Sequence, residues 1–160
     1  MQKIALFVDV QNIYYTVKEG LGGHFDYNAF WAHISRGNNK ICAAYAYAID
    51  RKMEKQIQFQ NILRGIGFKV KLKPYIQRSD GSAKGDWDVG ITVDMLETAS
   101  QVDRLVLLSG DGDFDLLVDK LIAKGKIVDV YGVESLTADS LIRSASTFYP
   151  IDRAFLLKKY

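Results

Sequence analysis

The chain has a single cysteine, Cys42, in 160 residues. No internal disulfide can form, and without a second thiolate there is no cysteine zinc site. Cys42 stands in the apolar run ICAAYAYAI, so it is expected to be a small core residue. Histidine is scarce too. His24 and His33 both lie away from any motif and read as surface residues, so no chemistry here calls for histidine. Long apolar runs are missing: none reaches the ~18 residues of a membrane helix. The opening MQKIALFVDV is too short an apolar run for a signal peptide and is broken by Asp9. The expectation is a cytoplasmic chain with no membrane partner. No repeat or low-complexity tract occurs. Neither G-x-G-x-x-G nor G-x-x-x-x-G-K-[ST] is found, which leaves dinucleotide and P-loop readings without support. Charge of one sign is not in excess either. A net charge of +2 neither demands nor excludes nucleic acid, because local patches outweigh the sum.

What is present suits one domain, 1–160, long enough for a sizeable core, with 48% apolar and 25% charged residues. KIALFVD (3–9) and KICAAYAYAI (40–49) are continuous apolar runs, as expected of strands buried on both faces. Helical spacing follows each: Val10, Ile13, Tyr14 and Val17 after the first, and Phe59, Ile62, Leu63 and Ile66 within 52–65 after the second. A short helix over 27–34 lies between them. In GFKVKLKPYI (67–76), Phe68, Val70 and Leu72 alternate with Lys69, Lys71 and Lys73 before Pro74, which marks an edge strand. QRSDGSAKGDW (77–87) reads as a mobile polar loop. Helix 88–99 is expected to bury Val89, Val93 and Leu96, flanked by Ile91 and Met95. RLVLLSG (104–110) is a central strand. Phe114, Leu117, Val118, Leu121 and Ile122 form a helical stripe. A strand at 126–133, a helix at 137–144 and a short extended segment at 147–151 close the chain. Alternation of strands and helices at this spacing argues an α/β fold with a mainly parallel sheet.

Acids gather where strands meet helices. Asp9 ends the first strand, and Asp111, Asp113 and Asp115 follow the fourth within five positions. In open α/β sheets, ligands bind beyond the carboxyl ends of strands where strand order reverses. If strands one and four are neighbours there, Asp9 and Asp111 face each other, and Gly110 and Gly112 let the backbone turn. Carboxylates within ~4–6 Å raise one another's pKa unless a cation compensates. Hard oxygen ligands suit Mg²⁺ or Mn²⁺. Each acid also has a plainer role. Asp113 can cap the helix it opens, as can Asp88 where the loop becomes helix. Asp115 and Asp119 suit a solvated face, and Asp86 a loop. Asp94, about 120° round the helix from Asp88, either points at the site or pairs with a lysine. Asn12 either binds a phosphate or metal-bound water or simply starts a helix.

FVDVQN, KGDWDVGITVDM and SGDGDFDLLV, with LIRSASTFYPID at the end, resemble the NYN domains of the PIN-like nuclease superfamily, and most of all its LabA-like group. The likeness runs over almost the whole chain, in order. It implies a PIN-like three-layer α/β/α sandwich with a central parallel sheet of order 3-2-1-4-5. The lysine-alternating third strand, read as an edge, agrees. It implies a Mg²⁺- or Mn²⁺-dependent ribonuclease whose catalytic, metal-holding aspartates match Asp9, Asp88, Asp111 and Asp113. Asn12 matches an asparagine that follows the first aspartate, and Asp94 a further recurrent acid. Trp87, with Asp86 before it, departs from the usual Lys-Gly-Val-Asp. This makes Asp86 a rival to Asp88, which is favoured because it directly precedes the helix.

On that reading a bound metal polarises the scissile phosphate of RNA and activates a water, leaving 5′-phosphate and 3′-hydroxyl ends. The substrate-binding candidates are Asn12, Ser109, Lys84, Arg78 and Arg51, with Lys71 and Lys73, although a lysine row also protects an edge. Trp87 and Tyr75 either stack on bases or fill apolar gaps. The alternative is a non-catalytic module of the same fold that binds metal, RNA or nucleotide. Three rivals lack residues they need. A haloacid-dehalogenase-type phosphatase wants Asp-x-Asp after the first strand, where Gln11 stands. A Toprim domain wants a glutamate in place of Asp9. A receiver site wants an acid pair there. The edge strand and the terminal AFLLKKY are candidate homodimer contacts.

Overall fold

Ile4, Ala5, Leu6, Phe7 and Val8, consecutive in β1 (Gln2–Asp9), are all fully buried. A run without polar alternation fits a strand covered on both faces. The computed structural model, which describes residues 1–74, 76–77, 83–84 and 86–158, puts β1 inside a six-stranded sheet. α1 (Val10–Leu21) leaves β1 directly and ends at Gly22, whose φ of 68° is left-handed and whose N–H donates to the Lys18 carbonyl. α2 (Tyr27–Ile34) is capped by Asp26, which accepts the Ala29 N–H. β2 (Asn39–Asp50), α3 (Glu54–Ile66) and β3 (Lys69–Pro74) follow. β4 (Ile76–Gln77) pairs with β5 (Ala83–Lys84) as a short antiparallel ladder. Then come α4 (Asp88–Thr98), β6 (Arg104–Leu108), α5 (Asp115–Ala123), β7 (Ile127–Gly132), α6 (Asp139–Ser144) and β8 (Thr147–Pro150).

The main sheet runs β3-β2-β1-β6-β7-β8, with every neighbouring pair parallel. Numbered within that sheet, this is 3-2-1-4-5-6: the expected order, carried one strand further by TFYP. β3 is an edge, as its lysines suggested. The chain steps outward from β1 to β3 and then returns to β6 beside β1. Strand order therefore reverses between β1 and β6.

Period-two alternation sorts the buried side chains onto two faces. Ile4, Leu6, Val8, Val106 and Leu108 pack under α1, α2 and α3, against Ile13, Phe30 and Leu63. Ala5, Phe7, Leu105, Leu107, Val128 and Val130 pack under α4, α5 and α6, against Met95, Val118 and Leu141. Each fully buried large side chain contributes about 1.5–3 kcal/mol relative to exposure. The sheet is thus the rigid middle layer of three, and its carboxyl edge is the platform for the site. Among the described residues, no helix is long and apolar enough to cross a membrane.

Four local expectations change. Cys42 is exposed rather than buried. Ile4 pairs with Ile41 but Ala5 pairs with Ala43, so Cys42 is the extra residue of a β-bulge and is left outside the pleat. On α4, Ile91, Met95 and Thr98 turn inward, while Val89, Val93 and Leu96 are 74%, 47% and 40% exposed. The inward stripe, at spacings of three and four, is the one that begins at Asp88. On α3, Leu63 is fully buried and Gln60 nearly so, whereas Ile62 faces out. Finally, the described parts of 77–87 include the β4–β5 ladder, where a loop was expected.

Candidate functional site

The reversal between β1 and β6 brings the two acidic junctions together. Ser109, fully buried just after β6, donates its hydroxyl to Asp9 Oδ2 at 3.0 Å and accepts the Asp111 N–H on the same Oγ at 3.1 Å. One hydroxyl therefore spans both junctions. Asn12, in the first turn of α1, accepts the Gly110 N–H on Oδ1 at 2.9 Å. Neither expected reading named this role: the Asn12 carboxamide tethers the turn after β6 to α1. Neither Gly110 nor Gly112 has a left-handed φ. They allow close approach: a Cβ at Gly110 would lie 2.7 Å from the Leu136 carbonyl oxygen, and one at Gly112 2.8 Å from the Ala138 Cβ.

Two Asp-x-Asp units then meet over this platform. In Asp86-Trp87-Asp88, the Asp86 carboxylate accepts the Asp88 N–H at 3.2 Å. In Asp111-Gly112-Asp113, the Asp111 carboxylate accepts the Asp113 N–H at 2.9 Å. In each unit the first acid caps the turn and the second sits just inside it. Asp88 and Asp113 are therefore not the N-caps the plainer reading expected: the N-cap position of α4 is Trp87 and that of α5 is Phe114, neither with a side-chain cap, while Asp86 and Asp111 accept within the turns that lead in. Carboxylate oxygens of Asp88, Asp111 and Asp113 all lie within 4.8 Å of one another; Asp88 and Asp111 are half-buried and Asp113 is exposed. Asp9 stands beside this triad, tied to it through Ser109.

Burial pushes Asp9 up to about 6; the Ser109 hydrogen bond pulls it down, and the charge of Asp111 pushes it up again. Burial, reinforced by the charge of Asp111 and a hydrogen bond to it, pushes Asp88 up to about 7, with Asp86 and Asp9 adding to the push. The acids thus crowd one another. The ion pairs among the described residues, Lys71–Asp94 and Arg104–Asp129, involve other carboxylates. A converging, all-oxygen donor set under mutual repulsion fits a hard divalent cation such as Mg²⁺ or Mn²⁺.

Other candidates are placed differently. Asp94 accepts from Lys71 Nζ at 2.6 Å and from the Tyr47 hydroxyl at 2.8 Å, so it pairs with a lysine and does not join the cluster. Lys71 also lies 4.9 Å from the Tyr45 ring centre. Lys73 donates to the Asp86 carbonyl and sits 4.5 Å from the Trp87 ring centre. Both lysines are occupied in holding α4 and its approach against the sheet. Trp87 donates its indole N–H to the Ala48 carbonyl at 2.9 Å and packs on Tyr47, as the gap-filling reading expects. Asp115 opens α5, and Asp119 is exposed. His24 is exposed and His33 half-buried. Arg51 follows directly on β2. Arg78, Tyr75 and the Lys84 side chain lie outside the described residues. Tyr47, which orients Asp94, was not singled out from sequence; its run of alternating Ala and Tyr gives no sign of which hydroxyl meets an acid.

Comparison with known proteins agrees with this architecture. The NYN domain pattern matches residues 3–152. The Low amplitude and bright protein LabA of Synechococcus elongatus is 27% identical over 165 residues, covering 98% of this chain and 88% of that protein. A crystal structure of a protein of unknown function, VPA0982 from Vibrio parahaemolyticus, superposes with a TM-score of 0.91 at 55% identity, covering 98% of this chain and 96% of that one. With the pattern spanning nearly its full length, this chain belongs to the NYN domain family, within the PIN-like nuclease superfamily.

Proposed function

We propose that the protein is a metal-dependent ribonuclease that hydrolyses RNA phosphodiester bonds. The observation that carries this reading is the convergence of Asp88, Asp111 and Asp113 oxygens within 4.8 Å. These three would hold Mg²⁺ or Mn²⁺, and Asp9 adds a fourth negative charge beside them. When bound, the cation polarises the scissile phosphate and lowers the pKa of a coordinated water. The chain's own contribution is positioning. Ser109 orients Asp9 and the turn that carries Asp111, while Asn12 fixes that turn to α1. Asp86 and Asp111 organise the two turns, so that Asp88 and Asp113 project from defined backbone. Without a cation, the cluster repels a phosphate strand, so RNA and metal should bind cooperatively. Products would carry 5′-phosphate and 3′-hydroxyl ends.

The test is incubation of the protein with a single-stranded oligoribonucleotide, with Mn²⁺ or with chelator, beside Asp111→Asn. Loss of an outer partner of a metal ligand typically costs 10–100-fold, so loss of a ligand should slow cleavage by at least about 100-fold. Chelator should abolish it. Equal cleavage by wild type and variant would remove the assignment. Metal and RNA binding without turnover over hours would favour the non-catalytic module.

A further inference from the structure

Beside the carboxylates, on the α1–α3 side of the sheet, lies a cleft of about 560 Å³. That is the size of small-ligand sites, ~300–1,000 Å³. It reaches the residues that follow Asp9 in the chain. Val10 and Gln11, the residues after Asp9, line it, and so does Tyr27, whose hydroxyl is pushed up first by burial and then by the charge of Asp9. Tyr14 and Phe59 join Tyr27 in its walls. Tyr14 is 45% exposed, and its ring stacks on His24 with centres 5.7 Å apart and 21° between planes. The charge on the cleft is opposite to that of its neighbour. Arg51 and Lys55 line it, and no acid does among the described residues. Gln56, also on the wall, has an Oε1 that is buried without a hydrogen-bond partner among the described residues. A buried acceptor without a donor is disfavoured. A ligand N–H that draws the amide round would satisfy it.

We propose that this cleft takes an unpaired nucleobase of the RNA strand, with the strand's phosphates passing Arg51 and Lys55 toward the carboxylates. The choice of RNA as occupant rests on reading the carboxylates as a ribonuclease centre. Three features match a base. Tyr14, stacked on His24 and with Lys18 Nζ 5.8 Å from its ring centre, keeps enough exposed ring to extend that stack to a base. A carboxamide offers the adjacent donor and acceptor that a base edge presents. Basic side chains at the same cleft meet the phosphate that every base carries with it. Paired, stacked bases cannot enter such a cleft, so the enzyme should select unpaired strands.

The experiment titrates a fluorescent single-stranded oligoribonucleotide, and a fully paired RNA duplex, into wild type, Tyr14→Ala, Tyr14→Phe and Gln56→Leu. It is run in chelator at low salt and again in Ca²⁺, with melting temperatures confirming that each variant folds. Tyr14→Ala should weaken single-strand binding about tenfold, a typical cost of losing one base–aromatic stack. Tyr14→Phe, which keeps the ring, should bind as wild type, Gln56→Leu should lose several-fold, and the duplex should bind less tightly than the single strand. Wild-type affinity in folded Tyr14→Ala, equal binding of duplex and single strand, or no single-strand binding in either buffer would overturn the proposal. A strand that is bound with this dependence on Tyr14 yet is not cut when the same protein is incubated with it in Mn²⁺ would support the cleft while removing the hydrolase reading. Cutting by a protein whose binding ignores both Tyr14 and Gln56 would remove the cleft and leave the hydrolase.

Discussion

At the scale of single residues, Ser109 and Asp88 carry the most specific consequences. Ser109 lies behind the acids and touches two of the turns that present them. Ser109→Ala keeps the volume nearly unchanged but leaves Asp9 without its hydroxyl donor. Metal affinity should fall about 10–100-fold, as is usual when a ligand's supporting partner is lost, and Mn²⁺ calorimetry would read it. Asp88 gives a stability prediction. Its carboxyl is raised from 3.8 to about 7 by burial and the Asp111 charge, so the folded state holds a proton that the unfolded chain releases. A raised pKa of this kind favours folding below pH ~4, and the advantage is lost as pH rises through about 7. Asp88→Asn removes the repulsion. At pH 8 without metal, the variant should melt a few degrees above wild type, and the gap should close toward pH 4. A variant that melts lower than wild type at both pH values would show that packing, not repulsion, governs this position.

At the scale of elements, much was legible because apolar periodicity is a burial pattern written directly in the chain. β1 and β6 could be placed at the centre since neither carries a polar alternation, and β3 at the edge since every second residue is a lysine. The inner face of α4 was not legible. That helix has apolar residues on more than one side, and the side turned inward carries Ile91, Met95 and Thr98, with Asp94 meeting Lys71 and Tyr47. The caps were misread for a related reason: an acid two residues before a helical N–H competes with the acid at the boundary, and only backbone geometry chooses between them. The bulge in β2 is a third case. It is a mismatch between two strands far apart in sequence, invisible in either alone, and it ejects Cys42. Native protein should therefore react with a thiol reagent such as Ellman's reagent, to one equivalent and without denaturant. A thiol that reacts only after unfolding would refute the bulge.

At the scale of the whole molecule, one parallel sheet supports both the core and the site. Leu107 is fully buried near the carboxyl end of β6, one strand from Asp9 and three residues before Gly110. Leu107→Ala should cost about 2–5 kcal/mol, read as a lower urea midpoint at unchanged slope. The strand order came from family resemblance together with the lysine edge; alternation alone could not have chosen among the parallel arrangements. Where the carboxylates converge could be anticipated from the strand reversal, but Ser109 was expected to meet substrate, and only the fold shows its hydroxyl fully buried between Asp9 and the Asp111 N–H.

The hydrogen bond from Ser109 to Asp9 joins residues one hundred positions apart. A growing chain on the ribosome displays Asp9 long before its counterpart is synthesised, and sheet closure over so long a separation comes late in folding. Nascent and partly folded forms hold only scattered acids. The ribonuclease proposed above would thus be born inert beside the message and ribosome that make it, gaining its cutting edge only on completing its fold.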